Sequence, residues 1–344
     1  MPEWLINLLI TLAKIAVVHG VLLTCVAYTV YLERKVSAFM QDRIGPNRVG
    51  PFGLLQPLVD VVKLLMKEDI VPVNANRFVH SLAPIISILV ALSTIAVVPF
   101  GNTINIAGRD IQLQIADVNV GVLYFLALSS LGVYGVTLSG WSSNNKYSLL
   151  GGLRSSAQMI SYELAMGLAV LAIVLMNGSL ELEKKKKNQA GWHWNVILQP
   201  VGFIIFITAA LAETNRHPFD FAEAEQELVA GYHTEYSSMK FALFFLAEYA
   251  NVIVMSAVIT TLYCGGWQFP FVHSMGLSPT LISILQVLAF CAKTFFWVFF
   301  FVWIRWTIPR FRYDQLMNLG WKVFIPLGIV NLVVTGLVLL LMKH

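Results

Sequence analysis

Runs of roughly 20 apolar residues recur along this chain, and each is long enough to cross the hydrocarbon core of a bilayer as one helix. Eight are read, at 4–32, 78–100, 118–140, 157–177, 194–213, 238–264, 280–304 and 323–342. The run at 118–140 is rich in Gly and Ser, and 194–213 ends in Glu213. Charged residues make up 12% of the chain, half the ~25% of a soluble domain, and mean hydropathy is +0.71. The expectation is an all-α integral membrane protein of about eight transmembrane helices, a single membrane domain over 1–344. No soluble domain fits between the runs, and no internal repeat is visible.

Several function classes find no support. Cys25, Cys264 and Cys291 each stand alone in apolar sequence, so no iron–sulfur or zinc site is readable. His193 and His233 lack partners at ligand spacing, and read as loop histidines. Glycine-rich nucleotide motifs are missing. The net charge of +4 fits a membrane-surface bias better than nucleic acid. The first apolar run is too long for a cleavable signal and leads into Glu33-Arg34-Lys35 without a small-residue cleavage pattern.

Basic residues set the orientation. The connections 33–77, 141–156, 214–237 and 305–322 hold fourteen Lys and Arg, against six on the opposite side, four of them the run Lys184–Lys187. By the positive-inside rule the first set faces the cytoplasm or matrix, and both termini face outward. The lysine run opposes this and reads as a solvated loop tip, partly offset by Glu181 and Glu183.

The first inner connection carries a helix with one polar line. Between 52 and 68, Gln56, Asp60, Lys63 and Lys67 are spaced 4, 3, 4, one face of an otherwise apolar amphipathic helix. Pro57 falls in its first turn, where a helix tolerates it. This is either an interfacial helix in the headgroup layer or the wall of a cavity at the membrane boundary. The turn-rich Arg43–Pro51 stretch before it positions Arg48 toward the same place.

Carboxylates form the second pattern. A charge in mid-bilayer costs at least ~2.5–3.5 kcal/mol. Glu163 and Glu248 nonetheless fall inside apolar runs, and Glu213 closes one. Between them, 214–237 carries Asp220, Glu223, Glu225, Glu227 and Glu235 against Arg216, a net −4. A helix over 221–230 would put Glu223 and Glu227 on one face, with Glu225 pointing away, and their repulsion would raise at least one pKa. The alternatives are a solvated acidic loop and, for Glu163 and Glu248, ion pairs with Lys240 or Lys293. A polar path joining the set is the preferred reading. The aromatic run Phe295–Trp303 reads as lipid-facing surface.

The segments Leu32–Lys35, Gln41–Pro51, Ala212–Asp220, Glu223–Tyr232, Glu235–Ser237 and Pro309–Leu316 resemble those of the H-subunit family of NADH-quinone oxidoreductase, over essentially the whole chain. The resemblance implies the membrane subunit of proton-pumping respiratory complex I; overall sequence character favours a bacterial inner membrane over an inner mitochondrial one. It implies a quinone tunnel shared with hydrophilic iron–sulfur subunits, and antiporter-like and small membrane subunits as further partners. Ubiquinone or menaquinone would be the substrate, with no cofactor or redox centre in this chain. Carried onto this sequence, the tunnel residues are Glu33, Arg34, Asp60, Arg216 and Arg305, with Phe219 and Phe221 on the wall. Lys67 of the seam and Arg48 of the stretch before it join them. The proton path corresponds to Glu163, Glu213, Glu223, Glu225, Glu227 and Glu248. Loop motion is expected, with Gly231 as a hinge. The competing classes are the membrane component of a related energy-converting hydrogenase or other-donor quinone enzyme, a stand-alone proton-coupled transporter and a structural anchor. A transporter would show repeats and paired broken helices; an anchor would have no use for buried glutamates.

Overall fold

A computed structural model describes residues 2–106, 108–182, 194–223, 225–269 and 278–343, without the side chains of Ile106, Glu225, Gln226 and Lys343. Lys184–Lys187 and His193 lie outside the described residues.

Among the described residues the protein is all-α apart from one β-hairpin. Helix α1 spans Glu3–Met40, α2 Gln56–Met66, α3 Arg77–Thr94, α4 Gly121–Ser142 and α5 Lys146–Asn177. Helix α6 spans Pro200–Glu213, α7 Ser238–Tyr263 and α8 Pro279–Thr307. The last helix, α9 (Tyr313–Met342), contains a π-helical stretch, Leu319–Phe324. Strands β1 (Thr103–Ile106) and β2 (Arg109–Gln112) pair antiparallel between α3 and α4, Thr103 opposite Gln112.

Among the described residues, seven helices are long and apolar enough to cross a membrane: α1, α3, α4, α5, α7, α8 and α9. The expected span 194–213 differs. It divides into a turn, Asn195–Leu198, and the 14-residue α6. At ~1.5 Å per residue α6 is about 21 Å long, short of a ~30 Å core. The break is at Gln199, because Pro200 has no N–H to continue a ladder but fits the first turn of a new helix. The Gln199 side chain then serves tertiary contacts, donating to Thr335 Oγ1 at 2.7 Å and accepting from Asn331 Nδ2 at 3.0 Å. Other element ends differ too. Helix α1 runs eight residues past 32 and α5 begins at Lys146 instead of 157, so much of the basic connecting sequence is helical extension rather than loop.

Helix α7 is the most deeply buried and packs against α1, α3 and α8. On α1 the buried positions Leu22, Val26, Thr29 and Glu33 recur at steps of 4, 3 and 4, a single face. Glu33 is the inner end of that stripe, which is why it enters the bundle while Arg34 stays outside. Between α3 and α4, Gly135 permits close approach: a Cβ there would lie 2.1 Å from Ser87 Oγ.

Candidate functional site

Four charged groups from four parts of the chain meet under α7. Glu33 of α1 is buried, and its Oε2 accepts from Arg216 Nη1 at 2.8 Å and from the Tyr249 hydroxyl at 2.8 Å. Its Oε1 accepts from Arg305 Nη1 of α8 at 2.5 Å. Arg216, in the connection after α6, also places Nε 2.6 Å from Glu248 Oε1 of α7, and its guanidinium lies 3.8 Å from the centre of the Tyr249 ring. Two carboxylates and two guanidiniums thus form a neutral set. Buried ions persist only when paired this closely, and the planar guanidinium, with its forked donors, can face two acids at once. The basic partner of Glu248 is therefore Arg216. Lys240 instead pairs with Asp69 at 2.9 Å. Lys293 donates to the carbonyls of Cys264, Gly266 and Gln268 at 2.7, 3.0 and 2.6 Å, holding the turn that follows α7.

A cavity of about 50 Å³ opens from this hub between α3, α4, α5 and α7. Glu213, Glu248, Asn215, Asn251, Thr94 and Tyr232 are among its lining residues. That volume holds roughly three or four waters. Glu213 is buried, with Oε2 unpartnered among the described residues, and feels the charge of Glu163. Glu163 is half-buried and accepts from the Ser130 hydroxyl of α4. Glu213 of α6 and Glu248 of α7 thus share one small cavity, and Glu163 of α5 lies close enough to Glu213 for their charges to interact.

The acidic connection 221–230 is not one continuous helix; among its described residues Glu225–Leu228 forms a turn of helix. Glu223 lies outside it, 3.9 Å from His233 Nδ1. Glu227 is exposed and pairs with Arg154 at 2.5 Å, away from the cavity, and the Glu225 side chain lies outside the described residues. Gly231 has φ +58, and a Cβ would lie 1.7 Å from the Ala222 carbonyl. It allows residues 222 and 231 to touch, closing the loop on itself.

Asp220, which the resemblance assigns to neither passage, belongs here too. Burial, reinforced by Glu223 and Glu248 and opposed by Arg310 and Arg305, pushes its carboxyl up to about 8. Arg310 Nη2 also donates to the Asp220 backbone carbonyl. Burial and the nearby Arg310 and Arg305 lower His217, so it is neutral at pH 7. A carboxyl raised above its ordinary 3.8 binds more protons folded than unfolded. Its stabilising contribution is complete below about pH 4, falls as pH rises, and is gone above about 8. Asp220→Asn should therefore gain thermal stability over the wild type at pH 8–9 and differ little at pH 4–5, read by melting of the solubilised protein. Equal pH slopes would exclude a raised Asp220.

The seam on α2 turns toward α1. Asp60 accepts from Arg34 Nη1 at 2.6 Å and from Gln56 Nε2 at 3.1 Å, with Lys63 at 4.0 Å. Arg48 and Gln56 line an open groove with Ile44–Asn47, of about 430 Å³. Lys67, the residue after the helix, is exposed. Phe219 and Phe221 are fully packed: Phe219 stacks on Phe311, with ring centres 5.5 Å apart, and Phe221 lies edge-on to Tyr313.

Residues 13–336 match the family described as NADH dehydrogenase. An H subunit of the NADH-quinone oxidoreductase of Cytophaga hutchinsonii is 51% identical over 327 residues, 95% of this chain and 96% of its own. The chain belongs to the H-subunit family of NADH-quinone oxidoreductase. An H subunit from Geobacter metallireducens is 52% identical over 336 residues, 98% of each chain. The NADH-quinone oxidoreductase subunit 8 of Rhodothermus marinus is 54% identical over 331 residues, 93% of this chain and 94% of its own.

Of the residues that the family resemblance singles out, Glu33, Arg216, Arg305, Glu248, Glu213, Glu163 and Glu223 come together. Arg34 and Asp60 form a separate pair, and Arg48, Lys67 and Glu227 stay at the surface. Sequence reasoning missed Tyr249, Ser130 and Arg310 as members of the site. A tyrosine directly after a buried glutamate was the available signal for Tyr249. Nothing local marks Ser130, one of several serines on α4.

Proposed function

We propose that this chain is the membrane subunit of a proton-pumping NADH:quinone oxidoreductase, complex I, in a bacterial inner membrane with both termini outward. Hydrophilic iron–sulfur subunits would join it to form the quinone passage, and antiporter-like and small membrane subunits would continue the proton path. Family membership supports the enzyme. The observation that carries the mechanism is Arg216, held between Glu33 and Glu248. Glu33 and Arg305 face the inner boundary, where the quinone, as substrate, would approach. Glu248 faces the cavity and the other acids.

Negative charge delivered to a bound quinone in this low-dielectric setting competes with Glu248 for Arg216. At 4 Å and an effective dielectric of 20 such an interaction is worth ~4 kcal/mol, enough to move a guanidinium between acceptors. Glu248, released from its cation, takes a proton across the cavity waters from Glu213, and Glu213 recharges from Glu163. Charge at one end thereby becomes proton movement at the other. The chain itself carries out no electron transfer.

Asp60→Ala tests the quinone arm. It frees Arg34 at the α1–α2 junction, and should lower the rate of quinone reduction severalfold while electron entry from NADH to a water-soluble acceptor stays intact. Loss of both activities would mean failed assembly, and wild-type quinone kinetics would remove the seam from the passage. Co-purification with iron–sulfur and antiporter-like subunits tests the partner assignment.

A further inference from the structure

Helix α2 is held by very little. Of its side chains only Pro57 is buried, while Leu58, Val61, Val62, Leu65 and Met66 are 49–83% exposed. At its N-terminal half it is tied to α1 by the Arg34–Asp60 pair. At its other end the polar contacts all go to the start of α7. The Ile70 N–H donates to Ser237 Oγ at 2.9 Å, and that hydroxyl donates back to the Ile70 carbonyl at 3.4 Å. The Ser238 hydroxyl donates to the Leu64 carbonyl at 3.0 Å, and Lys240 Nζ lies 2.9 Å from Asp69.

Two details show that α7 gives something up for these contacts. Ser237 occupies the N-cap position of α7 but makes no capping bond, although Ser is a favoured cap; its hydroxyl goes to Ile70 instead. Ser238 has φ +52, the left-handed region that a non-glycine residue occupies only when its surroundings impose it.

We propose that residues 64–70 and 237–240 form a clasp that makes α2 and the inner end of α7 one mechanical unit, with Ser238 and Lys240 as positioning residues for the Asp60 seam. Helix α7 carries Glu248 eight residues beyond Lys240, about 12 Å along the axis. A shift of α7 at the Arg216 hub is thereby delivered to α2 from the far end, independently of α1. In function this deepens the quinone reading and rests on it.

The test uses the purified complex with Lys240→Ala, Ser238→Ala and the charge exchange Asp69→Lys with Lys240→Asp. Backbone amides of 58–66 should exchange with deuterium on the order of fivefold faster in both alanine variants, as for an element whose local opening has become easier. The exchange variant should restore the wild-type rate. The KM for quinone should rise two- to fivefold in the alanine variants with kcat nearly unchanged, a split that follows from lost positioning rather than lost chemistry. Unchanged amide exchange in both alanine variants overturns the clasp. Faster exchange with an unchanged KM overturns the positioning role. Should the complex reduce no quinone at all, the functional reading falls, and amide exchange still decides the clasp.

Discussion

Replacing Arg216 with alanine is expected to abolish quinone reduction while leaving electron transfer from NADH to a water-soluble acceptor in place. The guanidinium is buried and contacts two carboxylates, Glu33 and Glu248. Removing one partner from a buried ion pair costs about 3–5 kcal/mol, because the remaining charge loses its compensation. Here two acids are affected, and Arg305 reaches only one of them. The site must then protonate an acid or admit water, and either change alters the charge that an arriving quinone meets. Lysine keeps the charge but not the planar fork, so Arg216→Lys should fall between alanine and wild type. Steady-state kinetics with a soluble quinone, alongside the artificial-acceptor assay, gives the answer. Wild-type kcat and KM in the alanine variant would break the link between the two halves of the site.

The second large effect concerns Glu213. Glu213→Gln preserves shape but removes titration. A positioned proton-transfer group contributes on the order of a hundredfold or more to its step, so proton uptake into reconstituted vesicles should collapse even though some quinone reduction persists. Destabilisation does not explain such a loss, since one carboxylate oxygen is buried without a partner among the described residues, and neutralising an unpaired buried acid removes a desolvation cost. Glu163→Gln should behave alike, more mildly, because Glu163 is half-buried and bonded to Ser130. Normal proton-to-electron ratios in both variants would end the relay assignment.

The resemblance carried most of the site by residue, but not its connections. It named Glu33 and Arg305 with the quinone passage and Glu248 with the acids, as two groups. The structure makes them one through Arg216, which lies 183 residues from Glu33 in sequence. The lysines offered as partners for Glu248 were reasonable by depth, yet each had a nearer use: Lys240 on Asp69, and Lys293 on the carbonyls of the turn that follows α7. Charge pairing depends on which helices adjoin, and spacing along the chain carries no such information. The shape of the 221–230 connection has a different cause. Gly231 adopts a left-handed conformation that brings the backbone onto Ala222, a tertiary contact that outweighs local helix propensity.

Seven of the eight apolar runs coincide with long apolar helices, because crossing a bilayer is a local requirement: a segment must be apolar over its own length, whatever lies beside it. The same holds for the polar line of α2, whose period is written in eleven consecutive residues. Pro200 marks a break within 194–213, but the sequence could not say that the Gln199 side chain beside it meets Asn331 and Thr335 of α9. Nor could it say that Glu213 and Glu248 share a cavity. Those facts belong to the packing of distant helices, where desolvation makes each buried charge select the partner that the fold places within reach.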